Sequence, residues 1–80
     1  MRLTYTRHAQ RRMQQRSVTK SDVEHALGNF IERKCTPEPS IRYRGPGLNG
    51  GILKVWVVPD QGPMSDKIIK SVAWEGVSDV

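Results

Sequence analysis

The chain has 80 residues and a net charge of +5, which is the size of one domain with a small core. Its single cysteine excludes an internal disulfide and is typical of a reducing compartment, so a cytoplasmic location is expected. No stretch approaches the roughly 20 apolar residues of a membrane helix, and the N-terminus lacks the apolar segment of a secretory signal. We therefore predict one cytoplasmic domain over residues 1–80, without a membrane partner.

The positive charge is concentrated in the first half of the chain. Residues 1–45 carry ten Lys or Arg against four Asp or Glu, whereas residues 46–80 carry three against four. Most of the cations are arginine, whose planar guanidinium suits bidentate phosphate contacts. Clustered basic charge predicts a polyanionic partner such as nucleic acid. A merely solvated basic surface is the alternative.

Two helices are predicted in the N-terminal part. Residues 3–5 can form a short strand or an extended lead-in, and a helix over residues 7–16 follows. A second helix is predicted over residues 20–28, with Thr19 or Ser21 as its N-cap. Its apolar residues recur at i, i+3, i+4 and i+7, which is the pattern of a face packed on a core.

Beyond residue 30 the pattern changes from helical spacing to alternation, which is typical of strands. Strands are predicted at residues 30–35, 41–44, 52–58 and 68–74. Asn49-Gly50 is a hairpin signal between the middle pair, and the tail from Glu75 onward is expected to fray. The predicted fold is therefore α+β, with two N-terminal helices packed on a three- to four-stranded antiparallel sheet.

The first predicted helix carries a stripe of one imidazole and two guanidinium groups. His8, Arg12 and Arg16 are spaced at i, i+4 and i+8, so each step drifts by only about 40° around the helix. Such a stripe predicts a phosphate site in which the arginines bind the anion and the histidine moves a proton near neutral pH. The alternatives are a solvated face, or ion pairs with Asp22 or Glu24 of the second helix.

Alternation on the strands predicts a second basic surface. If the strands align, one sheet face carries four cations and two indoles, namely Arg42, Arg44, Lys54, Lys70, Trp56 and Trp74. Cations interleaved with aromatic rings suit RNA, because phosphates meet charge and bases stack on rings. The alternative is that both tryptophans belong to the core.

The histidines and the cysteine do not form a metal-binding pattern. His8, His25 and Cys35 lack the spacing of zinc ligands, and no Gly-rich phosphate loop is present. We therefore predict neither a metal nor a cofactor.

The segment HAQRRMQQRSVT, residues 8–19, resembles the signature H-A-x-x-R-M-x-x-R-G-I-S of a family of small bacterial proteins of unknown function. The second helix, the segment at residues 43–45 and the strand at 68–69 also resemble that family, so the likeness spans nearly the whole chain. Ser17 stands where the signature has glycine. The family is similar to the RelE/ParE toxin-like group, within the barnase–EndoU–colicin–RelE nuclease-like fold.

This resemblance implies a toxin-like protein of a bacterial toxin–antitoxin system, with RNA, free or ribosome-bound, and an antitoxin protein as partners. The hypothesis is a metal-independent endoribonuclease in which His8 is a general acid or base and arginines stabilise the phosphorane. Tyr43 is a further candidate acid or base, as is Lys54. The residues assigned to RNA binding are Arg11, Arg42, Arg44, Lys54, Trp56 and Lys70. The alternatives are a non-catalytic toxin or binding module, for example of the gyrase-inhibitor type, and a structural domain.

Overall fold

Two helices and five strands follow one another within residues 1–76, and the α+β class is confirmed. The structure, a computed structural model, describes residues 1–76. Its elements are β1 (Leu3–Tyr5), α1 (Arg7–Gln15), α2 (Lys20–Gly28), β2 (Glu32–Thr36), β3 (Ser40–Pro46), β4 (Ile52–Val57) and β5 (Lys67–Trp74). Both helices lie within one residue of their predicted bounds. Neither helix in the described part of the chain is long and apolar enough to cross a membrane.

The sheet has five strands in the order β1-β5-β4-β3-β2, more than the three or four predicted. Strands β2 to β5 form the expected antiparallel meander. The additional strand is β1, which pairs parallel to β5, with Leu3 opposite Lys67. Because β1 has only three residues, its alternation is too short to predict that it pairs with a strand 64 positions away. Of the predicted frayed tail, Glu75 is bound to the sheet through its N–H and the Ile52 carbonyl, and residues 77–80 lie outside the described residues.

Helix α1 lies against β5 and buries only two residues, Ala9 and Met13. It begins at Thr6, whose hydroxyl accepts from the Ala9 N–H over 3.0 Å, as expected for an N-cap. It ends at Gln15, and the chain reverses at Ser17, which has a φ of 54°. This left-handed conformation favours glycine, because a residue with a Cβ is strained there.

Helix α2 packs on β3 and β4 and supplies most of the helical core. Thr19 and Asp22 form a capping box, so the predicted Thr19 cap is confirmed. Val23, Ala26 and Leu27 are buried, as the apolar spacing predicted. The helix approaches the sheet so closely at Gly45 that a Cβ there would lie 2.2 Å from a helix carbonyl.

A bulge in β5 changes which side chains share a sheet face. Val57 pairs with Ile69 and Trp56 pairs with Ser71, so Lys70 is an extra residue on β5. Trp74 consequently lies opposite Leu53 on the helix side, partly buried against the core. The prediction that Trp74 belongs to the basic face is wrong, because the bulge shifts the alternation by one residue.

A buried carboxylate joins β2, β3 and β5 on the helix side of the sheet. Asp60, 1% exposed, accepts from the Lys67 ammonium at 2.8 Å, the Tyr43 hydroxyl at 2.6 Å and the Arg33 guanidinium at 2.5 Å. Burial alone would raise the pKa of Asp60, but hydrogen bonds from Lys67, Tyr43 and Arg33 outweigh it and lower the pKa to about 2. Lys67, with no exposed side-chain surface, also donates to the Gly62 and Ser65 carbonyls.

Replacing Ser17 with glycine should stabilise the fold. The left-handed conformation costs roughly 1–2 kcal/mol for a residue with a Cβ, and glycine's greater freedom when unfolded returns about half of that. We expect Ser17→Gly to raise the free energy of unfolding by roughly 0.5–1 kcal/mol in urea denaturation. Ser21→Gly, at an exposed position of α2, is the control and should lower it by about 0.5 kcal/mol. Equal effects of the two changes would contradict the assignment.

Replacing Asp60 with asparagine should destabilise the protein strongly. The Lys67 ammonium would stay buried without a countercharge, a loss of about 3–5 kcal/mol in chemical denaturation. The double variant Asp60→Leu/Lys67→Met removes both charges and should recover most of that loss. A double variant no better than Asp60→Asn would contradict this account.

Acid should lower the free energy of unfolding of the wild type, because the same Asp60 carboxylate becomes protonated. Because the folded pKa of Asp60 is lowered, its contribution is complete above the ordinary value of 3.8 and disappears as pH falls towards about 2. Circular dichroism during acidification should show this loss in the wild type. The Asp60→Leu/Lys67→Met variant should depend less on pH in that window.

Candidate nucleic-acid interface

A cleft of about 460 Å³ lies between α1, the sheet face opposite α2 and the turn that joins β2 to β3. The predicted site residues that line it are His8, Arg12, Arg16, Lys54, Trp56 and Lys70. The helix stripe and the strand residues were predicted as two separate features. The structure brings them together at one concave surface.

Helix α1 turns its polar stripe towards the cleft. The guanidinium of Arg12 donates to the side-chain oxygen of Gln15 over 3.0 Å, and that of Arg16 donates to the Val72 carbonyl over 2.6 Å. Asp22 had been an alternative ion-pair partner for these arginines. It is instead buried at the start of α2, where it accepts from the backbone N–H groups of Thr19 and Leu48.

The sheet contributes two lysines and an indole to the opposite wall. Lys54 and Trp56 are two residues apart on β4 and share the open face, with the ammonium 5.7 Å from the ring centre. Lys70 lines the same cleft, as alternation predicts, and the bulge places Ser71 beside it between the buried positions 69 and 72. Among the described residues, neither lysine forms an ion pair.

Arg42 and Arg44 lie on the same sheet face but are held by carboxylates beside the cleft. The Arg42 guanidinium contacts Glu32 at 2.6 Å, and Arg44 binds both oxygens of Glu75 at 2.7 and 2.9 Å. The hydrogen bond from Arg42 lowers the pKa of Glu32, and that from Arg44 lowers the pKa of Glu75. These predicted RNA-binding arginines would therefore have to exchange a carboxylate for a phosphate.

Two other predicted site residues lie away from the cleft. Tyr43 is fully buried on the helix side of the sheet, where its hydroxyl donates to Asp60. It cannot contact a substrate in the cleft, and this corrects its proposed catalytic role. Arg11 is exposed on α1, one residue outside the stripe that lines the cleft.

Sequence reasoning missed a carboxylate at the rim. Glu38 lines the cleft from the turn between β2 and β3, between Pro37 and Pro39. Two prolines directly after a predicted strand indicate only that the strand ends, and the turn's position over the open face depends on the strand pairing. A Pro-Glu-Pro turn beside a basic strand face was the signal available in the sequence.

The balance of charge in the cleft favours an anion. Among the described residues, four cationic side chains line it against the one carboxylate of Glu38. No group of three or more His, Cys, Asp or Glu within residues 1–76 is arranged to hold a metal ion. Charge and hydrogen-bond donors on both walls can therefore hold a phosphodiester through side chains alone.

Comparison with known families gives one result. A family model described as "Domain of unknown function (DUF4258)" matches residues 5–74. The searches of curated proteins and of solved structures give no match.

Binding of single-stranded RNA should quench the fluorescence of Trp56 and leave that of Trp74 unchanged. Both indoles are half-buried, but the first lines the cleft, whereas the second packs on the core and donates to the Arg16 carbonyl. We expect Trp74→Phe to retain the quenching by a short oligoribonucleotide and Trp56→Phe to lose it, whereas Trp56→Ala should lower the affinity by about 1–3 kcal/mol. Quenching that survives in Trp56→Phe would place the RNA elsewhere.

Proposed function

The chain belongs to the DUF4258 family, and from the geometry of its cleft we propose that it is a toxin-like protein that binds single-stranded RNA and cleaves it. The observation that carries the proposal is the convergence of His8 with unpaired lysines and a half-exposed indole in one cleft. Residues 8–19 resemble the signature of a family that is similar to RelE/ParE toxins, which supports the same function and adds an antitoxin protein as partner.

RNA fits the cleft better than a small anion does. Cations lie on both walls, so consecutive phosphates of one strand could be contacted at the same time. Trp56 offers a ring on which a base can stack, and stacking needs an unpaired base. The volume of about 460 Å³ is in the range of ligand clefts and suits a short piece of one strand.

The proposed reaction is transesterification within RNA. The 2′-oxygen attacks the neighbouring phosphorus, the bond from phosphorus to the 5′-oxygen breaks, and the products are a 2′,3′-cyclic phosphate and a 5′-hydroxyl. Arg12 and Arg16 stabilise the extra negative charge on the phosphorane. His8 transfers a proton, a role that typically contributes about 10²–10⁴-fold in rate.

One observation favours a second candidate, a non-catalytic toxin or binding module. Among the described residues, no hydrogen bond orients the exposed His8, although catalytic histidines are commonly held by a third group. In that case the cleft would hold RNA, or the acidic surface of a protein target, without breaking a bond.

The test is single-turnover cleavage of RNA in EDTA, with and without ribosomes. We expect His8→Ala to abolish cleavage while RNA binding stays nearly unchanged, because the imidazole moves protons and the cations hold phosphate. Arg12→Ala should weaken binding and reduce the slope of log affinity against log salt by about 0.7–1. The control is His25→Ala on α2, outside the cleft, where the ring contacts the Pro46 carbonyl.

Three outcomes would count against the proposal. Full activity in His8→Ala would remove His8 from the mechanism. An Arg12→Ala protein that melts far below the wild type with unchanged affinity would make that arginine structural. No cleavage by the wild type under either condition, with expression still toxic, would favour the non-catalytic candidate.

A further inference from the structure

Glu38 is the one carboxylate that the described residues bring into the basic cleft. It is exposed at the rim, on the sheet side, and it faces the same space as His8 of α1. Within residues 1–76 it forms neither an ion pair nor a side-chain hydrogen bond. A carboxylate in an anion-binding cleft opposes phosphate binding, so its position there calls for a role other than binding.

The backbone of the turn that carries Glu38 is restricted. Pro37 and Pro39 limit it on either side, because each ring fixes φ near about −65°. At the base of the turn the hydroxyl groups of Thr36 and Ser40 are joined at 2.5 Å. These restrictions limit the region of the cleft that the exposed Glu38 side chain can reach.

Cleavage of RNA by transesterification needs two proton transfers with opposite requirements. One group must accept the proton of the 2′-hydroxyl, and another must donate a proton to the leaving 5′-oxygen. A carboxylate is ionised at neutral pH and suits the first task, whereas an imidazolium still carries a proton near neutrality and suits the second. The cleft contains one group of each kind on facing walls.

We propose that Glu38 is the general base and His8 the general acid of the reaction. This inference rests on the proposed ribonuclease function and assigns its proton transfers. Glu38 takes the proton as the 2′-oxygen bonds to phosphorus, and His8 gives a proton to the 5′-oxygen as its bond to phosphorus breaks. The second half-reaction, hydrolysis of the cyclic phosphate, would use the two groups in reversed roles.

A pair of substrates distinguishes a base from an acid. One is an oligoribonucleotide with an ordinary 5′-alkoxide leaving group, and the other is a nucleoside 3′-(p-nitrophenyl phosphate), whose phenolate leaves without protonation. Loss of the acid should matter only for the first substrate, and loss of the base should matter for both. We expect Glu38→Gln to reduce kcat by about 10²–10⁴-fold on both substrates, and His8→Ala by a similar factor on the oligoribonucleotide alone.

The dependence on pH and the affinity give independent readouts. The rate should rise on the acid side because the base must be ionised, and fall on the alkaline side because the acid must be protonated. Glu38→Gln should flatten the acid side and His8→Ala the alkaline side. Glu38→Gln should also bind RNA more tightly, because a negative charge leaves the cleft. This result would place Glu38 beside the bound phosphates, and the pH profile tests its role as a base.

The control is Glu24→Gln, which neutralises an exposed carboxylate of α2 outside the cleft and should behave as the wild type. Thermal melting shows whether each variant is folded, and Glu38→Asp provides a second variant that keeps the charge but shortens the side chain. A wild type that cleaves both substrates, with Glu38→Gln equally active, would overturn the role of Glu38 and leave the ribonuclease function intact. A wild type that cleaves neither substrate would overturn both.

Discussion

The cleft depends on a reciprocal pair of hydrogen bonds between Arg16 and β5. The guanidinium donates to the Val72 carbonyl over 2.6 Å, and the Trp74 indole donates back to the Arg16 carbonyl over 2.8 Å. Helix α1 buries only two residues, so apolar packing alone gives it little stability. These contacts fix its C-terminal end against the strand, while β1 fixes its N-terminal end. Because both ends of α1 are attached to the sheet, the stripe of His8, Arg12 and Arg16 is turned towards the cleft.

Short-range sequence patterns predicted most of the helices and strands. The features that form the cleft depend instead on contacts between residues far apart in the sequence. The apolar spacing of α2 and its Thr19 cap determine that helix within a few residues of sequence. The bulge at Lys70 follows the residues of β5 that pair with β1, at the point where β5 goes on to pair with β4 alone. No residue type nearby in the sequence indicates a bulge there. It is nevertheless the bulge that turns the indole of Trp74 towards the core, while Lys70 stays on the open face as alternation predicts.

The two sheet faces separate charges that look alike in the sequence. The alternation of β3 places Tyr43 on the face opposite Arg42 and Arg44, so its burial could be predicted from the sequence. The catalytic role assigned to Tyr43 came instead from the family resemblance. Ion pairs could not be foreseen, because Glu32 and Glu75 reach the arginines only through the strand register. The basic surface is consequently narrower than the sequence suggested, because Glu32 and Glu75 hold Arg42 and Arg44 beside the cleft.

The parallel pairing of β1 with β5 ties the two ends of the chain together. Leu3 lies opposite Lys67, and the Arg2 N–H binds the Asp66 carboxylate over 2.8 Å, a separation of 64 residues. Contacts of such range form late, because the chain must close a long loop before they contribute. During synthesis α1 has no strand to lie on until residues 67–74 have emerged from the ribosome. The cleft therefore forms only after these residues have emerged, so a nascent chain that ends before β5 has no assembled site.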